Sequence, residues 1–158
     1  MFKTTFSILS ASLIAGAVLT SSALAAEYKG SGTVTYVPVA TAVTQITGGR
    51  SLVKSHIKGV ILADDTTNPI HLSAQDCDGV TIIAADGKQI AASGSCHAVD
   101  ADGDVWALWY HNGAAGNNWG VIGGIGKYDG MTGGTTSPLA NLPDGRFVIS
   151  WDGAWQMK

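Results

Sequence analysis

Residues 77–96 read CDGVTIIAADGKQIAASGSC, and this stretch indicates the fold. Two apolar runs, at residues 79–85 and 88–92, flank the dipeptide Asp86-Gly87. An Asp-Gly pair between alternating apolar runs is a strong signal for a β-hairpin, because glycine readily adopts the positive φ that a tight turn requires. The sequence therefore predicts two antiparallel strands that meet at residues 86 and 87.

The two cysteines stand at the outer ends of this hairpin. A two-residue turn at Asp86-Gly87 places Cys77 directly opposite Cys96. Opposed Cβ atoms lie about 4.5–5.5 Å apart, and a disulfide needs about 3.5–4.5 Å, so we predict a Cys77–Cys96 disulfide. In an antiparallel hairpin, hydrogen-bonded and non-hydrogen-bonded pairs alternate outward from the turn. A two-residue turn makes Cys77 and Cys96 a hydrogen-bonded pair, in which the side chains lie farther apart than in a non-hydrogen-bonded pair. A type I turn with a glycine bulge at Gly87 would instead shift the register by one residue.

The rest of the chain also favours strands. It contains 21 glycines, many Val, Ile, Thr and Trp residues, and no ten-residue segment with a helical period. The last run, residues 146–155, places Phe147, Ile149, Trp151 and Trp155 on one face by period-two alternation. We expect an early strand to stop at Pro38. Seven to nine short runs predict an all-β domain, a single antiparallel β-barrel of about eight strands; a β-sandwich is the alternative.

The N-terminal segment has the three parts of a secretory signal peptide. Lys3 supplies the charge, residues 6–19 are apolar, and residues 23–25 form a small-residue cleavage site. The alternative, a membrane anchor, would need about 20 apolar residues. We predict cleavage before Ala26, a signal peptide at 1–25, a β-barrel domain at 26–158, no membrane insertion after cleavage, and a periplasmic or secreted protein. Export would also favour the disulfide.

Charge excludes some partners. The chain has nine Lys and Arg residues against twelve Asp and Glu. Eleven of the twelve acids are aspartates, several beside glycine, which is typical of turns. Without a basic cluster or a basic amphipathic stretch, we expect no nucleic-acid partner and no membrane surface.

Candidate sites for chemistry are weak. Asp100, Asp102 and Asp104 alternate in a way that suggests a calcium loop, but the glycine and glutamate of an EF-hand are displaced, and an Asp-Gly turn is the alternative. The four histidines do not stand at zinc-ligand spacing, and no G-x-S-x-G motif is present. The glycines at 123–126 lack a following helix and so indicate no phosphate cradle. We predict no catalytic residues and no cofactor.

The aromatic residues are the better candidates for binding. Trp106, Trp109, Tyr110 and Trp119 lie close together in sequence, and aromatic side chains at the mouth of a barrel can stack on a planar ligand. Alternation directs Trp106 and Tyr110 to one face and Trp109 to the other. The alternative is that these residues simply form the core.

The C-terminal half carries a more specific pattern. Cys96 is followed by DADGD at residues 100–104, GGIGKYDGMTGG at residues 123–134 and WDGAW at residues 151–155. These motifs resemble those of small exported bacterial proteins with an allene-oxide-cyclase-like, calycin-type β-barrel, which show a G-G-T-G-K-Y-x-G-I-T-G block. Ile125 and Met131 depart from that block. The resemblance covers residues 90–158 and implies a barrel.

What the resemblance implies about function is general. Plant members of that superfamily cyclise an unsaturated fatty-acid epoxide in an apolar cavity, and the related dirigent barrels steer radical coupling. No functional residue of theirs matches a position here. We therefore expect a protein that binds a small apolar or aromatic molecule without transforming it. The alternatives are a cyclase or isomerase that acts by confinement, with His97 or His111 beside an Asp, and a structural or envelope-interaction protein.

Overall fold

The computed structural model describes residues 26–157, so the signal peptide predicted at residues 1–25 lies outside the described residues. Within that range the chain forms nine strands and no α-helix. Two short 3-10 turns, Thr47–Gly49 and Gly126–Tyr128, interrupt them. The strands are β1 Ala26–Ile46, β2 Arg50–Ala63, β3 Ala74–Ile83, β4 Gln89–Val99, β5 Val105–Gly113, β6 Gly116–Gly124, β7 Thr132–Thr136, β8 Leu139–Asn141 and β9 Phe147–Met157.

A single antiparallel sheet contains all nine strands and closes on itself. Each of β1 to β6 pairs with the next strand along the chain, and β7 pairs with β9. β9 also pairs with β1, from Ala26↔Met157 to Tyr36↔Phe147, and this pairing closes the sheet. β7 and β8 pair with different parts of the same side of β9. The ring thus has eight strand positions. The prediction of an all-β barrel of about eight strands is confirmed, and a sandwich of two sheets is excluded.

The disulfide between Cys77 and Cys96 is present, and the two residues are directly opposed as predicted. Their Cα atoms lie 4.0 Å apart, which corresponds to the close spacing of a non-hydrogen-bonded pair and not to the wider hydrogen-bonded pair. The expectation of a hydrogen-bonded pair was therefore wrong.

The turn explains that difference. The N–H of Gly87, which has φ +83°, donates to the carbonyl of Ala84, and Ala84 pairs with Lys88. The loop therefore has three residues with a bulged glycine, which moves the register by one position. A second irregularity between Ile82 and Ile83, opposite Ile90, moves it back. The two shifts cancel, so the cysteines remain opposed.

We predicted that the first strand would stop at Pro38, and this prediction was wrong. The chain continues in the strand to Ile46, with a register shift between Pro38 and Ala40. β9 begins at Phe147, opposite Tyr36, so from residue 37 onward β1 has β2 on one side only. Proline is tolerated at such an edge and at a bulge because neither requires its missing N–H.

The two ends of the barrel differ. The longer connections, at residues 64–73, 100–104 and 125–131, lie at one end, which we call the closed end, and bring Ile70, Tyr128 and Met131 into the core. The Tyr128 hydroxyl lies 2.6 Å from the Pro69 carbonyl oxygen and 2.9 Å from Asp100 Oδ2. The hairpin turns β1–β2, β3–β4, β5–β6 and β8–β9 lie at the opposite, open end. No helix among the described residues is long and apolar enough to cross a membrane.

Candidate ligand-binding cavity

A cavity of about 390 Å³ occupies the barrel interior towards the open end. Inward-facing positions of the strands line it, because alternate residues of each strand point to the same face. Burial of these positions falls towards the open end on most of the strands, although Asn117 on β6 is buried close to that end. On β5, Trp106 is 2% exposed and Leu108 7%, whereas Tyr110 and Asn112 are half-buried. The cavity therefore has a buried floor and an accessible mouth.

The floor is mainly apolar. Its walls include Ile57, Ile61, Ile70, Trp106 and Trp151. The indole Nε1 atoms of Trp106 and Trp151 are buried and have no hydrogen-bond partner among the described residues. Both atoms are enclosed by protein, so they add no donor to the cavity surface.

The mouth is polar but uncharged. Its side chains are amides and hydroxyls, contributed by different strands: Thr41, Ser55, Thr81, Gln89, Asn112, Asn117 and Asn141. The strand register brings them together because four hairpin turns meet at this end. The lining contains no Asp, Glu, Lys, Arg or His from the part of the chain that the structure describes.

Tyr110 lies against a cross-strand pair of glycines in the cavity wall. Gly79 pairs with Gly94, and Gly94 pairs with Tyr110. A Cβ atom on Gly79 would stand 1.9 Å from the Tyr110 hydroxyl oxygen, so only glycine leaves room for the ring here. Burial, with a smaller contribution from the charge of Asp78, raises the pKa of Tyr110 above its ordinary value. The phenol is therefore neutral at physiological pH.

Tyr36 is the second phenol in the wall. Its hydroxyl donates to Gln75 Oε1, and its ring stacks on Phe147 with ring centroids 4.9 Å apart. Burial is the main cause that raises the pKa of Tyr36 far above its ordinary value. Both phenols in the wall are thus neutral hydrogen-bonding groups.

A solved structure shares this fold. It is the crystal structure of a protein of unknown function from the DUF3224 family of Shewanella oneidensis MR-1, and it matches 85% of this chain and 97% of its own with a TM-score of 0.54. The two sequences are 13% identical, so the likeness concerns the fold alone. No protein-family model and no curated protein matches the chain.

Three of the four aromatic residues proposed for binding line the cavity: Trp106, Tyr110 and Trp119. The indole N–H of Trp119 donates to Ser137 Oγ at 2.9 Å. Trp109 does not line the cavity. It is 45% exposed on the outer face, because its neighbours Leu108 and Tyr110 point inward and strand residues alternate. We therefore remove Trp109 from the set.

The histidines nominated for catalysis are also outside. His97 and His111 are exposed, and neither lines the cavity. His111 Nδ1 lies 2.7 Å from Ser93 Oγ on the outer face. They follow the same alternation as Trp109, since Cys96 and Tyr110 occupy the inward positions beside them. The cavity therefore does not contain the histidine–aspartate pair that the isomerase alternative requires.

The aspartates at 100–104 form a structural cluster at the closed end. The Lys127 ammonium lies 2.7 Å from Oδ2 of both Asp100 and Asp102. The backbone N–H of Lys127 donates to Asp104 Oδ2. In the described chain no group of three or more His, Cys, Asp or Glu side chains could hold a metal ion. The calcium hypothesis for Asp100, Asp102 and Asp104 is thus not supported, because the Lys127 ammonium already lies between the carboxylates of Asp100 and Asp102.

Opposing effects set the ionisation of Asp100. Burial of its side chain favours the neutral acid, but hydrogen bonds from Lys127 and Tyr128 and from two backbone N–H groups favour the carboxylate. The net result is a pKa of Asp100 below its ordinary value. The same contacts raise the pKa of Lys127. The pair therefore stays ionised across the neutral range.

Several cavity residues escaped sequence analysis. Tyr36 and Gln75 lie far apart in the chain, and nothing local indicates their contact. Asn112 carried a usable signal, because it continues the Trp106, Leu108 and Tyr110 face by period two. The other mouth amides stand near turns, where polar residues are expected for other reasons.

Proposed function

We propose that this protein binds a small, largely apolar molecule inside the barrel and does not transform it. The observation that carries the proposal is the cavity of about 390 Å³, which opens at one end and falls within the usual range for small-molecule sites, about 300–1,000 Å³. Apolar walls with a few polar groups are typical of such sites. Trp106, Trp119 and Trp151 provide flat surfaces for contact.

The chemistry of the lining favours binding over catalysis. General acid–base catalysis needs a group whose pKa lies near the working pH. The described lining offers amides, hydroxyls, indoles and two phenols with raised pKa values. None of these groups is a base at neutral pH, and the histidines lie outside. An isomerase that used this described lining would act through confinement by shape.

Intrinsic tryptophan fluorescence tests the proposal. Lipids, phenolics and sugars are titrated into the protein, and we expect a saturable change with an apolar member of the panel because three indoles line the cavity. An unchanged spectrum across the whole panel would contradict the proposal.

Two neighbouring alanines provide a matched pair of variants. Ala92 lines the cavity, whereas Ala91, equally half-buried, does not. We expect Ala92→Trp to weaken binding of the identified ligand by at least about tenfold, measured by titration calorimetry, because it fills the space. Ala91→Trp adds the same side chain on the other face and should leave the affinity unchanged.

We also propose that the protein is exported and that it is related to the allene-oxide-cyclase-like barrels. The motifs at residues 96–155 and the closed antiparallel sheet support the relation. The Cys77–Cys96 disulfide supports export, because disulfides persist mainly in oxidising compartments. Mass measurement of the protein recovered from the producing cell tests this: we expect an N-terminus at Ala26, and retention of residues 1–25 would contradict it.

A second candidate function is interaction with another protein of the cell envelope. The observation that favours it is the outer edge of β1 at residues 37–46, which pairs with no strand of the described chain and has no charged side chain. Val37, Val39 and Val43 are exposed along it. Long apolar edges of this kind pair with other strands.

A further inference from the structure

From the chemistry of the cavity we infer the class of ligand: an uncharged molecule with an apolar ring or chain and a neutral hydrogen-bonding group, to the exclusion of anions and cations of the same shape. This inference rests on the proposed binding function and narrows it. It follows from the lining, the surroundings of the mouth and the cost of burying charge.

Within residues 26–157, no side chain of the lining is charged at neutral pH. Of its 24 residues, the polar ones carry amides, hydroxyls, phenols or indole N–H groups. An ion that enters an apolar site loses its hydration, and that loss is expensive unless a countercharge is present. A neutral hydroxyl or carbonyl loses much less, and amides such as Asn112 and Asn117 can hydrogen-bond to it.

Two of the three basic residues at the turns around the mouth are already paired with a carboxylate, and the third, Arg50 at the β1–β2 turn, is exposed and donates its Nε–H to the Thr47 carbonyl oxygen. Lys88 lies 3.1 Å from Asp86 in the β3–β4 turn. Arg146 lies 2.6 Å from Asp144 in the β8–β9 turn. Lys88 and Arg146 are thus each paired with an aspartate of their own turn, and a carboxylate near either of them would meet both signs of charge and gain little.

The polar groups of the lining determine which functional groups suit it. Amides and hydroxyls both donate and accept hydrogen bonds, so the lining suits neutral oxygen functions such as alcohols, ethers, esters and ketones.

A matched pair of dyes tests the inference. N-phenyl-1-naphthylamine is neutral, and 1-anilinonaphthalene-8-sulfonate has the same rings with one sulfonate. The sulfonate stands on the ring system, so it cannot remain in bulk water when the rings are buried. Both dyes fluoresce more strongly in apolar sites. At pH 7 we expect the neutral dye to bind at least about tenfold more tightly than the sulfonate.

Three variants identify the site and the cause. Ala92→Trp should weaken cavity binding of the neutral dye by at least about tenfold, and signal that this substitution leaves unchanged is surface binding. Asn112→Lys places a cation at the half-buried mouth and should strengthen binding of the sulfonate. Ser95→Lys adds the same charge on the exposed outer face and should leave both affinities unchanged.

The outcomes separate the two proposals. The inference is supported if the parent protein binds the neutral dye more tightly than the sulfonate. The ratio of the two affinities should then be smaller in Asn112→Lys and unchanged in Ser95→Lys. Equal affinities for both dyes, both weakened in Ala92→Trp, would overturn the selectivity for neutral ligands and leave the binding function intact. Failure of the neutral dye to bind in a manner sensitive to Ala92→Trp would overturn both.

Discussion

Tyr110 illustrates how single residues shape the cavity wall. A Cβ on Gly79 would meet the Tyr110 hydroxyl oxygen first, at 1.9 Å, whereas a Cβ on Gly94 would meet the backbone carbonyl oxygen of Asp78 first, at 2.2 Å. The two glycines are adjacent, but the obstacles differ in kind. One obstacle can be removed by substitution of a side chain, and the other cannot.

We expect Gly79→Ala to lower the free energy of unfolding by about 1–3 kcal/mol, because it overpacks the wall. Adding Tyr110→Phe removes the nearest atom and should recover part of the loss. Gly94→Ala should be destabilising with or without Tyr110→Phe. Urea unfolding of the singles and doubles gives the coupling energies. Equal recovery for both glycines would contradict this account of the contacts.

The Asp100–Lys127 pair predicts how stability depends on pH. Folding lowers the pKa of Asp100. Its contribution to the free energy of unfolding is therefore fully present above the pKa of the unfolded chain, about 3.9, and is lost as pH falls through the pKa of the folded protein. Folding raises the pKa of Lys127. Its contribution to the free energy of unfolding is therefore fully present below the pKa of the unfolded chain, about 10.4, and is lost as pH rises through the pKa of the folded protein. The pair therefore stabilises the fold between these limits.

Lys127→Met should lower the free energy of unfolding by about 1–3 kcal/mol at pH 7, because Asp100 stays buried without its cation. The difference from the parent protein should shrink as pH falls below about 4, because the buried carboxyl of the variant is protonated first and that of the parent protein only at lower pH. Lys88→Met removes an exposed pair with Asp86 and should change the free energy of unfolding far less than Lys127→Met does. Denaturant unfolding from pH 3 to 8 checks this, and an undiminished difference at pH 3 would contradict it.

At the scale of elements, the β3–β4 hairpin shows what local sequence specifies. Asp86-Gly87 located the turn, and the opposition of Cys77 and Cys96 followed from it. The sequence did not reveal the extra residue at Ile90, because a bulge that depends on packing leaves no residue-specific mark. The cysteine pairing was correct because two register shifts cancel.

The Cys77–Cys96 bond closes a loop with a sequence separation of 19 residues. We expect its removal, as Cys77→Ser with Cys96→Ser, to lower the free energy of unfolding by about 3 kcal/mol, chiefly because the unfolded chain gains freedom. Denaturant unfolding checks this. As a control, reductant should destabilise the parent protein and leave the double variant unaffected. Two free thiols in a mass measurement under non-reducing conditions would contradict the bond itself.

The unpaired edge of β1 predicts self-association. Val43 is 62% exposed there, and a lysine on an edge strand disfavours pairing with another strand. We expect Val43→Lys to reduce concentration-dependent association in sedimentation experiments. Val80→Lys also removes an exposed valine, but from a strand paired on both sides, and should not reduce it. A parent protein that stays monomeric at millimolar concentration would contradict the prediction.

At the scale of the whole molecule, the sequence suggested that the sheet closes into a barrel, but it did not show which strands pair to close it. β1 and β9 pair across almost the entire described chain, from Ala26↔Met157 onward, and no local pattern encodes such a contact. The aspartates at residues 100–104 show the same limitation. Their partner Lys127 comes from a later connection, which the topology brings to the closed end. Strand type and face were local properties, and these were predicted well.

The pairing of Ala26 with Met157 places both ends of the described chain beside each other at the closed end. An immobilising tag attached through either terminus would therefore hold the mouth away from the support, exposed to the bulk solution. Tethered sensors and fusion proteins could use either attachment point without obstructing ligand entry. A short peptide could also join the two ends, and new termini could then be opened in a hairpin turn.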